Sequence, residues 1–298
     1  MENEKPIAII RGGGDLGTGA ALRLHRAGWR VLIAELVKPL AIRRAVALAS
    51  AIYDGSIEVE GVSARRIDDA AEIDRAWLLD QVPVIVDPDC SIAARLNPMV
   101  LIDAIMLKRN IGTQMTAAPI VVALGPGFTA GIDCHAVIET NRGHNLGRVY
   151  YHGSAEPDTG TPGNLGGQDN QRALRAPIEG VFYAQRKIGD HVKAGEMIGR
   201  VITVDVSLTD SAARRLALTD RDASQPLGMI VKTRIDGVIR GILHDGLIVL
   251  AKAKVADVDP RGEVSYCFTV SDKSWAVGGG VLEAVLYLAR QSRISPPW

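Results

Sequence analysis

A glycine-rich segment near the start of the chain carries the clearest chemical signal. Gly12-Gly13-Gly14-Asp15-Leu16-Gly17 fits the pattern G-x-G-x-x-G, directly after the apolar run Ile7–Ile10 and before a helical pattern. In that context Gly12 permits a tight turn, Gly14 lets a pyrophosphate approach the backbone, and Gly17 lets the helix pack closely. The segment therefore predicts a site for a phosphate-bearing ligand at a helix N-terminus. The alternative is a turn that only tightens a strand–helix junction.

A carboxylate follows at a spacing that suits a nucleotide. Glu35 closes the second predicted strand 18 positions after Gly17 (35 minus 17). A carboxylate about 20 residues beyond such a loop accepts hydrogen bonds from a ribose. We therefore expect Glu35 to bind the adenosine ribose of NAD and to repel a 2′-phosphate.

A second glycine loop, Gly125-Pro126-Gly127, follows another apolar strand, and polar residues follow it closely. They are an acid, a thiol, two imidazoles and a guanidinium: Asp133, Cys134, His135, Arg142 and His144. Such groups could anchor phosphate, transfer protons or hold a soft metal or selenium species. Alternatively, Cys134 is a small buried hydrophobe and the histidines lie on the surface.

The two glycine loops should share one edge of a sheet. We expect them to form one crevice with the segment 133–144, in which Cys134 is partly ionised and reactive. Asp103 and Lys108 could reach this crevice or lie on the surface. Cys90, beside two carboxylates, is explained by a helix-capping turn.

The amino-acid composition limits the classes of function that this chain could have. The 298 residues are 47% hydrophobic and 23% charged, which is typical of a globular protein. Lysine plus arginine equals aspartate plus glutamate at 34 each, so nucleic acid and membrane surfaces are not expected partners. The start of the chain lacks the pattern of a signal peptide, which predicts a cytoplasmic protein. The three cysteines have no paired spacing, so neither disulfides nor a structural zinc site is expected.

The elements that must position these residues form two predicted domains. Short β-branched runs at 7–10, 30–34, 82–86, 99–102 and 119–124 alternate with helical patterns, which predicts a Rossmann-like parallel sheet over residues 1–152. A Gly/Pro-rich linker or lid is expected at 153–171.

The second half contains an internal repeat. Ile178-Glu179-Gly180-Val181 recurs as Ile235-Asp236-Gly237-Val238, an offset of 57 (235 minus 178), which predicts two similar β units within 172–262. A short amphipathic helix is expected at Ala212–Leu218. The last segment, 263–298, should return a helix to the first domain. Its triple glycine, Gly278-Gly279-Gly280, is interpreted as packing rather than as an anion-binding helix start.

Several segments together resemble one family, the YqeB-type accessory proteins of the selenium-dependent molybdenum hydroxylase system. They are Arg11–Leu16, Leu24–Gly28, Lys38–Arg44, Gly125–Gly131, Glu139–His144 and Gly278–Ala284. The resemblance covers essentially the whole chain. It implies a role in maturing molybdenum hydroxylases that need a labile selenium atom, with such an enzyme as a partner, but it implies no particular reaction.

The repeat region also resembles biotinyl and lipoyl domains. Ala176–Val181 with Gly189–Gly195 is similar to their first half, and Ile235–Val238 to their second. The resemblance implies a barrel-sandwich hybrid used for structure or docking. The sequence departs from these domains at the modified position, since no lysine lies between Val201 and Met229.

Three functions remain open from the sequence. The first is a maturation factor that binds a nucleotide or the dinucleotide form of the molybdenum cofactor. The second is an NAD-dependent oxidoreductase of a small molecule. The third is a scaffold that docks a partner and has no catalytic activity.

Overall fold

The computed structural model describes residues 5–158, 171–203 and 228–292. The chain forms two compact units: the first comprises residues 1–164 and 265–298, and the second comprises residues 165–264. The C-terminal segment therefore belongs to the first unit. The predicted helix at 212–218 and most of the predicted linker at 153–171 lie outside the described residues.

A nine-stranded sheet forms the centre of the first unit. Its strands are β1 Ile7–Arg11, β2 Arg30–Glu35, β3 Ser56–Val59, β4 Val62–Ile67, β5 Val82–Val86, β6 Val100–Asp103, β7 Ile120–Leu124, β8 Ala136–Ile138 and β9 Val149–Tyr150. They lie in the order β3-β4-β5-β2-β1-β6-β7-β8-β9. The central strands are fully buried and β-branched, as expected for a sheet that is covered on both faces.

The sheet is mixed, so the predicted Rossmann-like parallel sheet is wrong. Strand β4 runs parallel to β5 but antiparallel to β3, and β9 runs antiparallel to β8. The β3–β4 hairpin turns at Glu60 and Gly61, both at positive φ (48° and 82°), as a tight two-residue turn requires. Both edges of the sheet therefore depart from a parallel fold.

Five helices are described: α1 Asp15–Arg26, α2 Ala51–Asp54, α3 Ile73–Leu78, α4 Ile92–Leu96 and α5 Asp272–Gln291. None of the helices in the described ranges is long and apolar enough to cross a membrane.

Helices α1 and α5 pack side by side through glycine. A Cβ on Gly19 would clash with the carbonyl of Ser274, and a Cβ on Gly278 would clash with the carbonyl of Gly19. Ser274 also donates a hydrogen bond to the carbonyl of Asp15, one turn before Gly19. Asp15 thus lies beside Ser274 and Gly19 beside Gly278, so the two helices run parallel and their N-termini lie at the same end. The triple glycine lies inside α5, which begins at Asp272, so its interpretation as a packing element is supported.

The second unit contains two four-stranded antiparallel sheets. Its strands are β10 Ala173–Arg175, β11 Gly180–Ala184, β12 His191–Val192, β13 Met197–Ile202, β14 Gly228–Lys232, β15 Gly237–Ile242, β16 Leu247–Val249 and β17 Lys254–Asp259. The sheets have the orders β10-β17-β15-β12 and β14-β13-β11-β16.

The sequence repeat is also a structural repeat. Gly180 and Gly237 each begin a strand, at φ values of 156° and 157°. A Cβ on Gly180 would clash with the carbonyl of Ile202 in the neighbouring strand β13. A Cβ on Gly237 would clash in the same way with the carbonyl of Asp259 in the neighbouring strand β17. Glycine is therefore required in both copies for the same reason, because a side chain would collide with the neighbouring strand.

Candidate functional site

The strand order itself marks a place for a ligand. From β1 the chain passes to β2 on one side, and it later returns to β6 on the other side of β1. In open α/β sheets the crevice at such a switch point, outside the carboxyl ends of the strands, is where ligands bind. The loops after β1 and β6 touch there, since a Cβ on Gly12 would lie 3.0 Å from the carbonyl oxygen of Ala104.

The glycines of the first loop differ in whether the fold requires a glycine at their position. A Cβ on Gly17 would clash with the carbonyl of Gly12, and a Cβ on Gly13 would lie 2.9 Å from the side chain of Ile33. Gly14 is different: its φ is −66°, and a Cβ there would have no atom within 4 Å. The fold therefore tolerates a side chain at Gly14, and open space lies in front of the N-terminus of α1.

Backbone donors at this helix end are available. The N–H of Thr18 donates to the carbonyl of Gly14 at 2.8 Å and closes the first turn. The N–H groups of Gly14, Asp15 and Leu16 have no acceptor among the residues that the structure describes. Together with the positive end of the helix dipole, they favour an anion.

The side chain of Glu35 points towards the first glycine loop, Gly12–Gly17. It is 8% exposed, and its carboxylate oxygens accept the N–H of Gly13 at 2.7 Å and that of Leu36 at 2.8 Å. Burial raises the pKa of the Glu35 carboxyl, while these two hydrogen bonds act to lower it. The carboxylate therefore ties the glycine loop to β2, a geometry that does not favour the predicted contact with a ribose.

A buried arginine joins the first turn of α1 to the C-terminal segment. Nη1 of Arg43, a residue 7% exposed, donates to both carboxylate oxygens of Asp15 at 3.1 Å. Its Nη2 donates to the carbonyls of Tyr266 and Thr269 at 3.1 and 2.9 Å. The hydroxyl of Ser274, in the first turn of α5, donates to the carbonyl of Asp15 at 2.6 Å. The first turns of the two helices are thus connected directly.

A second arginine lies at the N-terminus of α5. The guanidinium of Arg142 donates to both oxygens of Asp272 at 2.7 and 2.8 Å, in the two-pronged geometry that arginine forms with carboxylates. Ser271 caps the helix by accepting the N–H of Ser274 at 3.1 Å. Two adjacent helix N-termini therefore each carry an aspartate that is held by an arginine.

A buried polar network supports the switch point from the other face of the sheet. Nη1 of Arg11 lies 3.4 Å from the carboxylate of Asp103 and donates to the hydroxyl of Thr113 at 2.7 Å, and that hydroxyl donates to Asp103 at 2.5 Å. Asp103 is only 1% exposed. This residue therefore fixes the loop after β6 and does not reach the crevice.

The predicted catalytic residues are not brought together. Asp133 accepts the N–H of Thr129 at 2.7 Å and supports its own loop. Nδ1 of His135 accepts the N–H of Val121 at 3.0 Å, near the start of β7, and burial lowers its pKa. His144 is exposed. Arg142, by contrast, contacts the first turn of α5 through Asp272.

Cys134 is a core residue. It is completely buried, and burial raises its pKa to about 12. The expectation of a partly ionised, reactive thiol is therefore wrong. The alternative interpretation from the sequence, a small buried hydrophobic residue, describes Cys134 correctly.

The second glycine loop has a packing role. Gly125 and Gly127 have positive φ values of 76° and 101°. A Cβ on Gly125 would clash with the hydroxyl of Thr140, and a Cβ on Gly127 would clash with the backbone at Lys108 and Arg109. Pro126 between them is half-buried. The two glycine loops thus contact the same segment, 104–109, which follows β6.

Lys108 lies on the surface, where its Nζ is 2.7 Å from the carboxylate of Asp158. Residues Leu36 and Val37, which follow β2, are 46% and 63% exposed at the same edge of the sheet. Within the described ranges, no group of three or more His, Cys, Asp or Glu residues could hold a metal ion.

The chain is similar to a protein of Escherichia coli K12 described as "Uncharacterized protein YqeB". The two are 44% identical over 285 residues, which is 96% of this chain and 48% of the relative. The chain is thus a homologue of YqeB and spans about half the length of that relative. The name of the relative assigns no activity, and no protein-family model matches the chain.

Solved structures that resemble the chain belong to a different group of proteins. An aspartoacylase family protein from Mesorhizobium loti is 12% identical, with 86% of this chain and 85% of that chain covered and a TM-score of 0.25. A succinylglutamate desuccinylase/aspartoacylase from Rhodobacter sphaeroides is 15% identical, with 85% of each chain covered and a TM-score of 0.28. Such low scores carry no conclusion about activity.

The predicted fold class needs a second correction. The similar structures are not lipoyl or biotinyl proteins, and they give no support to a lipoyl-like barrel-sandwich hybrid. The second unit is described by what it contains, two four-stranded antiparallel sheets. The glycines of the two short motifs, Gly180 and Gly237, are explained by close packing at the start of a strand.

Proposed function

We propose that this protein binds a phosphate-bearing nucleotide at the N-terminus of α1. The observation that carries the proposal is Gly14, a glycine with an ordinary φ of −66° and open space where its side chain would be. The fold does not need a glycine there, whereas a phosphate approaching the backbone does.

The charges around this helix end support the proposal. A phosphate would accept hydrogen bonds from the N–H groups of Gly14, Asp15 and Leu16. The carboxylate of Asp15 is held by Arg43, which offsets its repulsion of an anion. The dipoles of α1 and α5 both present their positive ends at this place.

The position of Glu35 bears on which nucleotide is bound. Both of its oxygens already accept backbone N–H groups, so it is poorly placed to select the ribose of NAD. Glu35 therefore gives no reason to prefer NAD, and it is the resemblance to YqeB-type accessory proteins that favours the dinucleotide form of the molybdenum cofactor as the ligand. Exposed Leu36 and Val37 offer an apolar surface for a base or pterin ring.

The proposed cellular role rests on sequence. The resemblance to YqeB-type accessory proteins suggests a maturation factor for selenium-dependent molybdenum hydroxylases, with such an enzyme as partner. Purification of a tagged hydroxylase from cells with and without this chain tests the role. Recovery of the chain with the hydroxylase and a lower selenium content without the chain are expected. An unchanged selenium content would contradict the role, while nucleotide binding would stand.

The binding site is tested by replacing Gly14 with valine. Gly279→Val is the matched control, because Gly279 also has open space around its Cβ but lies in the middle of α5. Isothermal titration with NAD, NADP, CTP, GTP and molybdenum-cofactor dinucleotides should find a ligand for the wild type and for the control. Gly14→Val should weaken that binding by about tenfold or more, with a melting temperature only slightly lower, because valine is a poorer N-cap residue than glycine. Equal affinities in all three proteins would contradict the proposal.

A further inference from the structure

The second unit contains a cavity of about 470 Å³ between two edge strands. Strand β10 is the edge of one sheet and β14 is the edge of the other. The cavity is lined by these two strands and by the residues that follow each of them. It is therefore a groove that is bordered, among the described residues, by an edge strand of each sheet.

Strand β14 offers this groove backbone groups that no described residue uses as hydrogen-bond partners. The N–H of Thr233 donates to the carbonyl of Glu196 at 3.0 Å, and its carbonyl accepts the N–H of Gly195 at 2.9 Å, so the backbone of Thr233 faces β13. Backbone direction alternates along an antiparallel strand, so the N–H and C=O groups of Ile230 and Lys232 face away from β13. Such an edge is a template for an added strand.

The side chains of β14 give the edge a recognisable chemistry. Ile230 is 52% exposed, and Lys232, two positions further on, lies on the same face of the strand. Arg234 is exposed in the bend that follows the strand. Across the groove, Arg175 donates a hydrogen bond to the carbonyl of Lys252. The groove thus combines apolar lining residues, among them the exposed Ile230, with three cations.

These cations are not neutralised within the described part of the chain. No carboxylate there forms an ion pair with Arg175, Lys232 or Arg234, and no acidic residue lines the cavity. A second copy of this chain would bring the same cations against them, which is repulsive. An acidic segment would be complementary.

We propose that this groove binds an extended acidic segment of a partner protein, which adds as a strand to the free edge of β14. The backbone of the segment pairs with Ile230 and Lys232, and carboxylates at alternate positions meet Lys232, Arg234 and Arg175. This inference is independent of the nucleotide site, which lies in the first unit.

The test uses the full chain, labelled with ¹⁵N, and a capped peptide Glu-Val-Glu-Val-Glu-Val. The peptide should shift the amide resonances of β14 and its neighbours, with an affinity that falls as salt is added. Two control peptides separate the contribution of strand pairing from that of charge. Glu-Val-Glu-Pro-Glu-Val keeps the charge but cannot pair as a strand, and Lys-Val-Lys-Val-Lys-Val can pair but has the wrong charge. Both should bind at least about tenfold more weakly.

Variants of the chain locate the site. Replacing Lys232→Glu and Arg234→Glu together should weaken the acidic peptide by about tenfold or more. Lys187→Glu, an exposed lysine between β11 and β12, should leave the affinity unchanged. Thermal melts of both proteins check that each remains folded. Equal binding of the proline peptide, equal binding by the charge-reversed protein, or no shift in β14 would each overturn the proposal.

Discussion

Gly14 and Glu35 illustrate two reasons why a residue type occurs beside a binding loop. Gly14 has space for a side chain in the fold, so its glycine is best explained by a ligand that approaches the backbone. Glu35 is explained by the fold, because its carboxylate accepts the N–H of Gly13 and holds the loop in place. The spacing of Glu35 from the loop suits both explanations, and only its surroundings distinguish them.

We expect Glu35→Gln to destabilise the fold. A glutamine oxygen can accept one of the two backbone N–H groups, while its NH₂ faces the other and leaves that buried donor unsatisfied. The free energy of unfolding should fall by about 1–3 kcal/mol, measured by urea denaturation. Glu58→Gln, at an exposed position in β3, is the control and should have little effect. An equal effect of both changes would contradict the assigned role of Glu35.

The buried cysteines predict slow alkylation of the native protein. Burial raises the pKa of Cys90 and Cys134 to about 12, so at pH 8 only about one thiol in ten thousand is ionised. Iodoacetamide should label neither residue in the native chain and should label both after denaturation, as read by mass spectrometry. Raising the pH from 7 to 9 should leave the native thiols unlabelled. Rapid native labelling of Cys134 would restore it as a candidate for catalysis.

At the scale of elements, the parallel pair of α1 and α5 is the feature that builds the site. The close approach at Gly19 and Gly278 aligns the first turns of the two helices. Ser274 can then reach the carbonyl of Asp15. Helix α5 thus contributes to the candidate site that begins at residue 12.

This packing predicts different effects for neighbouring glycines. Gly19→Ala and Gly278→Ala place a methyl group against backbone atoms and should each destabilise the protein by about 1–3 kcal/mol. Gly279→Ala, one residue away in open space, should be neutral or stabilise it by about 0.5–1 kcal/mol. Urea denaturation of the three variants checks this order. A loss of stability for Gly279→Ala as large as that for Gly278→Ala would contradict the packing.

The elements that the sequence predicts well are those with a strong local signal. Strands β1, β2, β5, β6 and β7 lie where continuous apolar runs predict them, because central strands are buried on both faces. Strands β3 and β4 were not predicted, since their residues alternate between exposed and buried and include several charges. The antiparallel pairs β3–β4 and β8–β9 make the sheet mixed, which is why the predicted parallel sheet was wrong.

At the scale of the whole molecule, the site draws residues from distant parts of the chain. Asp15 is held by Arg43, while Arg142 is held by Asp272. Sequence reasoning found the glycine loop and Arg142 but not Arg43 or Asp272. Closeness in sequence instead grouped residues 133–144, which the structure separates. These two residues could not be predicted because they reach the site through tertiary packing. No local pattern in the sequence indicates which helix packs against α1.

The central claim, that a phosphate group binds at the N-terminus of α1, is tested most directly by the backbone amides themselves. The ¹⁵N-labelled chain is titrated with pyrophosphate and with the nucleotide that binds most tightly. We predict that the amide resonances of Gly14, Asp15 and Leu16 shift most, and that Gly14→Val abolishes the shifts while Gly279→Val retains them. Saturating binding that leaves these three amides unchanged, or no binding of any phosphate compound, would contradict the account.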